Sequence, residues 1–210
     1  MRGQEQPLGS AAMCNHYRSD PDKLSTWAEY AGFKLRADRQ VDGDIWPKRE
    51  APVVRAVDGV PALDILKWGV PTTVPGKRPG TKLKKHVTNV RNLASPFWRS
   101  MLANPAQRCL VPFSRFAEPV IGGGRAEHWF SIVDRPMAAF AGIWRPSEDG
   151  EVFAFLTCEP NSLVAPLHPK AMPVILAEDD YEAWLTGSTD RALGLAQAFP
   201  SQLMRVESPS

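Results

Sequence analysis

The sequence predicts an α+β fold in which mixed or antiparallel β-sheets pack against peripheral helices. Three observations point there. Short β-rich runs recur at 51–57 (APVVRAV), 63–70 (LDILKWGV), 108–118 (RCLVPFSRFAE), 128–133, 137–144 and 152–157. Turn chemistry separates them, with Gly122-Gly123-Gly124 as a loop and Asp149-Gly150 as a hairpin tip. None of the gaps between the central runs carries the regular crossover helix that a parallel sheet needs.

The elements follow in order. The opening MRGQEQPLGSAA is polar, contains Gly and Pro, and lacks the apolar core of a signal peptide. Residues 1–12 are therefore expected to be a leader or a start assigned too far upstream, and 13–210 a single domain. Asp20-Pro21 reads as an N-cap with proline at the first helical position, and Leu24, Trp27, Ala28 and Ala31 recur at helical spacing up to Gly32. A helix over 21–30 follows. Val74 to His86, VPGKRPGTKLKKH, reads as a solvated Gly/Pro-rich loop, with a phosphate-contacting arm as the functional alternative. Short helices are expected at Ser95–Leu102 and at Asp179–Leu185, the latter stopped by Gly187.

Composition bounds the function. A chain of 210 residues can bury one substantial core. Its 20 prolines are about twice average usage, which implies fixed loops between short strands. The 25 basic and 23 acidic residues nearly cancel, so any grip on nucleic acid must come from local clustering. Cys14, Cys109 and Cys158 form neither a CxxC pair nor a disulfide framework, which points to a reducing cytosol. No apolar stretch is long enough to cross a bilayer. The four histidines and three cysteines show no metal-ligand spacing, and the glycine run lacks the Lys-Ser/Thr of a phosphate loop. No cofactor and no metal are expected.

Met13-Cys14 is the most informative pair. If the chain begins at Met13 and that residue is removed, Cys14 carries a free α-amine and a thiol. The amine, with an ordinary pKa of about 7.7–8.0, is partly neutral near neutral pH and can attack an aldehyde, after which the thiol can close a five-membered thiazolidine. The plain alternative is a small buried hydrophobe. Glu118, after an apolar strand, and His168, in APLHPKAMP, can each line a cleft, but spacing alone does not pair them.

Several blocks in order, MCNHY, WGV, TNVRN, RCLVPFSRFAEP, FAGIW, and FLT through HPKAMPVIL, resemble the SRAP (SOS response-associated peptidase) family from Met13 to about Leu185. The resemblance implies a barrel-like core. It implies that Cys14 bonds covalently to the ring-opened aldehyde of an abasic site in single-stranded DNA, with autoproteolytic exposure of its amine. Glu118 and His168 fall on the family's acid/base positions, and Asn89 and Arg91 on a polar pair that orients the sugar and clamps phosphate. Thr157 matches a strand-end cleft position. Trp68 matches an aromatic beside the DNA groove, although core packing accounts for it equally well. The implied partner is single-stranded DNA bearing abasic sites, bound by a cytoplasmic, nucleoid-associated monomer with no membrane contact.

The chain departs from the family after the cysteine, where Asn15 and His16 stand in place of the usual glycine and arginine. Leading residues left attached would acylate the Cys14 nitrogen and block imine formation. Two other readings stay open: a thiol hydrolase using Cys14 and His168, and a non-enzymatic single-strand DNA-binding module built on the basic segment and Trp68.

Overall fold

The computed structural model describes residues 14–36 and 41–207, so Met13 and the expected leader at 1–12 lie outside the described residues. Five strands close into a barrel. Glu50–Val57 pairs antiparallel with Val60–Trp68 and with Arg108–Phe113; Arg108–Phe113 pairs antiparallel with Ala138–Ser147, and that strand with Gly150–Cys158. Gly150–Cys158 then meets Val60–Trp68 in parallel, with Phe153 beside Trp68. An odd ring of strands cannot alternate direction all the way round, so one parallel seam is a geometric necessity.

The long run at 108–118 is two strands. The chain breaks at Ser114, whose amide donates to the Arg18 carbonyl at 2.8 Å, and Arg115–Pro119 joins a second sheet. That sheet is antiparallel throughout, in the order Met204–Glu207, Glu127–Ile132, Arg115–Pro119, His16–Arg18 and Asp44–Ile45. The period-2 alternation of strands divides the apolar residues into two clusters. Trp68, Val111, Phe113, Phe140 and Phe155 of the barrel pack with Tyr17, Phe116 and Phe130 of the second sheet. The opposite face, with Val54, Leu110, Ala141 and Leu156, packs against Trp27, Trp98 and Trp184 from the helices.

The helices lie where their signals place them: Pro21–Tyr30, Pro96–Ala103 and Tyr181–Thr186, the last preceded by a 3-10 turn at Glu178–Asp180 and stopped at Gly187. Asp20 makes no side-chain cap; its carboxylate takes Lys23 Nζ at 2.9 Å instead. The helix Thr189–Gly194, too short to show periodicity, is an addition. Asp149-Gly150 does form a hairpin tip, with Gly150 at φ 93° opposite Ser147.

The segment read as a basic loop is different. Val70–Pro75 and Lys82–Val87 form an antiparallel hairpin, in register from Val70↔Val87 to Pro75↔Lys82. Prolines at both ends and lysines along the second strand hide its alternation in the sequence. No helix among the described residues is long and apolar enough to cross a membrane.

Candidate active site

The site is assembled where the second sheet abuts the barrel. Phe116 and Glu118 share one face of Arg115–Pro119, so the same alternation that buries Phe116 carries the Glu118 carboxyl into the apolar interior. Glu118 is 0% exposed. Burial pushes its carboxyl well above the usual range, with the charge of Glu127 adding to the rise; the Cys14 amide and thiol, lying against it, pull the other way. Neither carboxyl oxygen reaches good hydrogen-bond geometry with a described residue.

Cys14 enters the sheet just before His16–Arg18 and is buried. Its Sγ lies 3.9 Å from the His16 carbonyl. Burial raises the thiol well above its ordinary value, and the charges of Glu118 and Glu127 raise it further. The main chain of Cys14 is held as firmly as its side chain: Asn89 Nδ2 donates to the Cys14 carbonyl at 3.2 Å. Asn89 is placed by a short parallel pairing with the barrel strand, opposite Phe155.

His168 arrives on the tight loop after Asn161. Asn161 Oδ1 accepts from the amides of Leu163 and Val164, and the His168 amide donates to the Val164 carbonyl at 2.8 Å. The ring is 2% exposed. Nδ1 faces the Ala171 carbonyl at 2.9 Å and Glu118 Oε2 at 3.5 Å. A carbonyl only accepts, so Nδ1 carries a proton, and Nε2 is buried without a described partner. Thr157 Oγ1 and the Tyr17 hydroxyl are likewise buried without described partners. Buried polar atoms are nearly always paired, so the unpaired Glu118 oxygens and His168 Nε2, in side chains that approach to 3.5 Å at the Nδ1 side of the ring, make this carboxyl–imidazole pair a candidate for chemistry.

The structure thus brings Cys14, Asn89, Glu118 and His168 together. Arg91 makes an ion pair with the exposed Glu159. Trp68 corrects its expected role as a base-stacking platform. It is 0% exposed, stacked on Phe155, and its Nε1 donates to the Thr88 carbonyl at 3.1 Å, so no ring face is open to a base.

The sequence reading missed the group around His16. The ring lies 2.8 Å from Asp44 through Nε2 and 2.7 Å from Glu127 through Nδ1, and it stacks on Trp46 with centroids 3.7 Å apart. The Cys14-Asn15-His16 departure was its only signal, because both carboxylates come from other strands. His16 is therefore committed to two acids and does not supply the phosphate contact of the family's arginine. Among the described residues no group of three or more His, Cys, Asp or Glu side chains is arranged to hold a metal.

The fold and site define an α+β barrel protein with one buried cysteine beside a buried carboxyl and imidazole. The chain belongs to the SRAP family: residues 13–208 match SOS response associated peptidase (SRAP). Curated proteins yield no match. Among solved structures, a protein from Bordetella bronchiseptica superposes with a TM-score of 0.73 at 22% identity, over 92% of this chain and 98% of that one. A protein from Bacteroides thetaiotaomicron gives 0.71 at 20% identity, over 92% and 90%, and a phage-related protein from Bordetella bronchiseptica gives 0.63 at 22%, over 95% and 94%. At these identities the likeness is one of fold.

Proposed function

We propose that this protein captures abasic sites in single-stranded DNA as a thiazolidine on Cys14, once the residues before Cys14 are removed. The α-amine attacks the aldehyde of the ring-opened deoxyribose, water leaves, and an imine remains. The thiol then adds to the imine carbon, its proton passing to the nitrogen. The observation that carries this reading is that the polar groups converge on the main chain of Cys14, Asn89 on its carbonyl and Glu118 against its amide, rather than on the thiol alone. A neutral Glu118 can donate a proton to the departing hydroxyl, or to the amine released when the preceding peptide bond is cut, and the Nε2 lone pair of His168 can take one back.

A thiol hydrolase is less well served. Such an enzyme needs a thiolate, and burial raises the Cys14 thiol well above its ordinary value. The His168 ring directs Nδ1 to Ala171 and Glu118 rather than to Sγ. Membership of the SRAP family is consistent with a peptidase step confined to exposing the cysteine.

The test mixes a single-stranded oligonucleotide carrying one abasic site with protein beginning at Cys14, with the 210-residue chain blocked at that nitrogen, and with Cys14→Ala. Intact mass and denaturing-gel mobility report the product. A heat-stable conjugate formed only with a free Cys14 amine is the expected result. No conjugate from that form overturns the proposal, and thiol-dependent cleavage of a peptide with the leader still attached puts the hydrolase in its place.

A further inference from the structure

The barrel leaves the site through Trp68 and re-enters it at Asn89, and between them stands the hairpin of Val70–Pro75 and Lys82–Val87. Its base is fixed by Gly69, which at φ 122° adopts a conformation that side-chain-bearing residues avoid. A Cβ there would also sit 3.1 Å from that of His86. The loop at 76–81 is closed by the Gly76 amide on the Thr81 carbonyl at 2.8 Å and by Thr81 Oγ1 on the Arg78 carbonyl at 2.6 Å. Six residues per strand make an arm about 20 Å long.

The two faces of the arm differ in their charges. Lys84 and His86 point to the barrel, where Asp149 takes both at 2.9 Å, and Arg145 donates to the Pro71 carbonyl at 2.9 Å. That face is pinned. Lys85, beside the exposed Leu83, occupies the other face; Lys77 and Arg78 stand in the turn, and Lys82, on the parity of Lys84 but at the strand's end next to the turn, is exposed there; none of the four makes an ion pair with a described residue. In a chain whose charges otherwise nearly cancel, an oriented arm with four uncommitted cations is the local clustering that a polyanion requires.

We propose that this arm binds the phosphate backbone of the single strand running away from the captured sugar. The inference rests on the capture reading above, and it assigns the strand a path from the Cys14 site along the unpinned face of the arm. The pinned lysine takes no part. Because the contacts are to phosphates, they are independent of base sequence and fall with salt.

The test compares the wild type with a variant carrying Lys77→Ser, Arg78→Ser, Lys82→Ser and Lys85→Ser. Undamaged single-stranded oligonucleotide is titrated into the 210-residue chain at several salt concentrations. With about 0.7 counterions released per phosphate contact, the variant's log–log salt slope is shallower by about 2.8, so the wild type loses about 50-fold more affinity between 50 and 200 mM salt. In capture assays with protein beginning at Cys14, the variant is slower on a long abasic oligonucleotide and equal to wild type on one with a single nucleotide on each side of the lesion, which also shows that its site is folded. An unchanged slope with capture intact in both proteins overturns the arm's role alone. Absence of capture by the wild type on either substrate overturns the capture reading, whatever the slope.

Discussion

Nδ1 of His168 lies 3.5 Å from Glu118 Oε2 with both side chains sealed from solvent, 2% and 0% exposed. The carboxyl, held above its usual range mainly by burial, is therefore a proton donor beside a ring that keeps one nitrogen free.

Glu118→Gln keeps the shape and removes the proton. Capture slows by about 10²-fold or more, the usual share of a positioned acid–base group. Stability moves the other way. In wild type the unfolded chain ionises first as pH rises past the ordinary carboxyl range, so Glu118 costs progressively more stability until its own folded value is reached. Glutamine does not titrate. The variant melts with wild type at about pH 4 and above it at about pH 8, each kcal/mol being worth about 2–4 °C in a chain of this size. Coincident melting curves at both pH values would show that the carboxyl is not held neutral.

Asn89→Ala removes the amide that holds the Cys14 carbonyl at 3.2 Å. A single neutral hydrogen bond is worth about 1 kcal/mol, so capture slows roughly fivefold through loss of positioning. Asn89→Asp slows it more, because a carboxylate faces a carbonyl. Single-turnover crosslinking rates at saturating DNA distinguish this from weaker binding, which would disappear at saturation.

Much of this was legible in the residues themselves. Strands with a hydrophobic run and a turn at each end, such as Ala138–Ser147 and Gly150–Cys158, announce themselves by local pattern. The break at Ser114 does not, because RCLVPF and RFAEP read as one run and only the pairing partners differ. Motif order supplied Cys14, Asn89, Glu118 and His168, whose proximity depends on two sheets meeting. Trp68 was ambiguous, since an aromatic beside Gly69 suits a groove and a core alike, and burial decides it. In the sequence His16 shows only as the absence of an arginine; its contacts are to Asp44 on the neighbouring strand and Glu127 two strands away, both distant in sequence.

The thiols offer a check on nucleophile order. Burial raises all three, Cys158 to about 11, and Cys158 is half-buried where Cys14 is buried. An alkylating reagent needs both access and thiolate. Limited iodoacetamide labelling of the 210-residue chain, read by peptide mass, reaches the half-buried Cys158 before the buried Cys14, with both rates rising with pH. Preferential labelling of Cys14 at neutral pH would mean an activated thiol and would restore the hydrolase reading.

Arg108 ties the barrel to the helices without any carboxylate. Its guanidinium donates to the carbonyls of Leu102 at 3.0 Å, Trp184 at 3.1 Å and Gly187 at 2.7 Å, which lie at the C-terminal ends of two helices where carbonyls lack partners. Burial lowers its proton affinity, and Nη2 is buried without a described partner. Lysine has its three donors on a single nitrogen and so does not match acceptors taken separately by Nε, at Leu102, and by Nη1, at Trp184 and Gly187. Arg108→Lys costs about 2–4 kcal/mol, lowering Tm by roughly 5–15 °C, and leaves the capture rate of the folded fraction unchanged.

His16 ties the strand after Cys14 to Asp44 on one neighbouring strand and, across Arg115–Pro119, to Glu127 on the strand beyond, and both its nitrogens face carboxylates, which only accept. Both bonds are made when both nitrogens carry protons. Burial opposes ionisation of Asp44, but hydrogen bonds from His16 and Trp46 outweigh it and hold the carboxyl below its ordinary value. A carboxyl depressed in this way stabilises the fold above the ordinary value, and that contribution is lost as pH falls through the folded one. His16→Gln, which cannot donate to both acids through one amide nitrogen held in the ring's place, loses about 1–2 kcal/mol near pH 6, where partial exposure of Asp44 limits the effect. The gap from wild type narrows in chemical denaturation near about pH 3, as Asp44 takes up its proton. A gap that stays constant across that range would place the loss in the stacking on Trp46 rather than in the paired carboxylates.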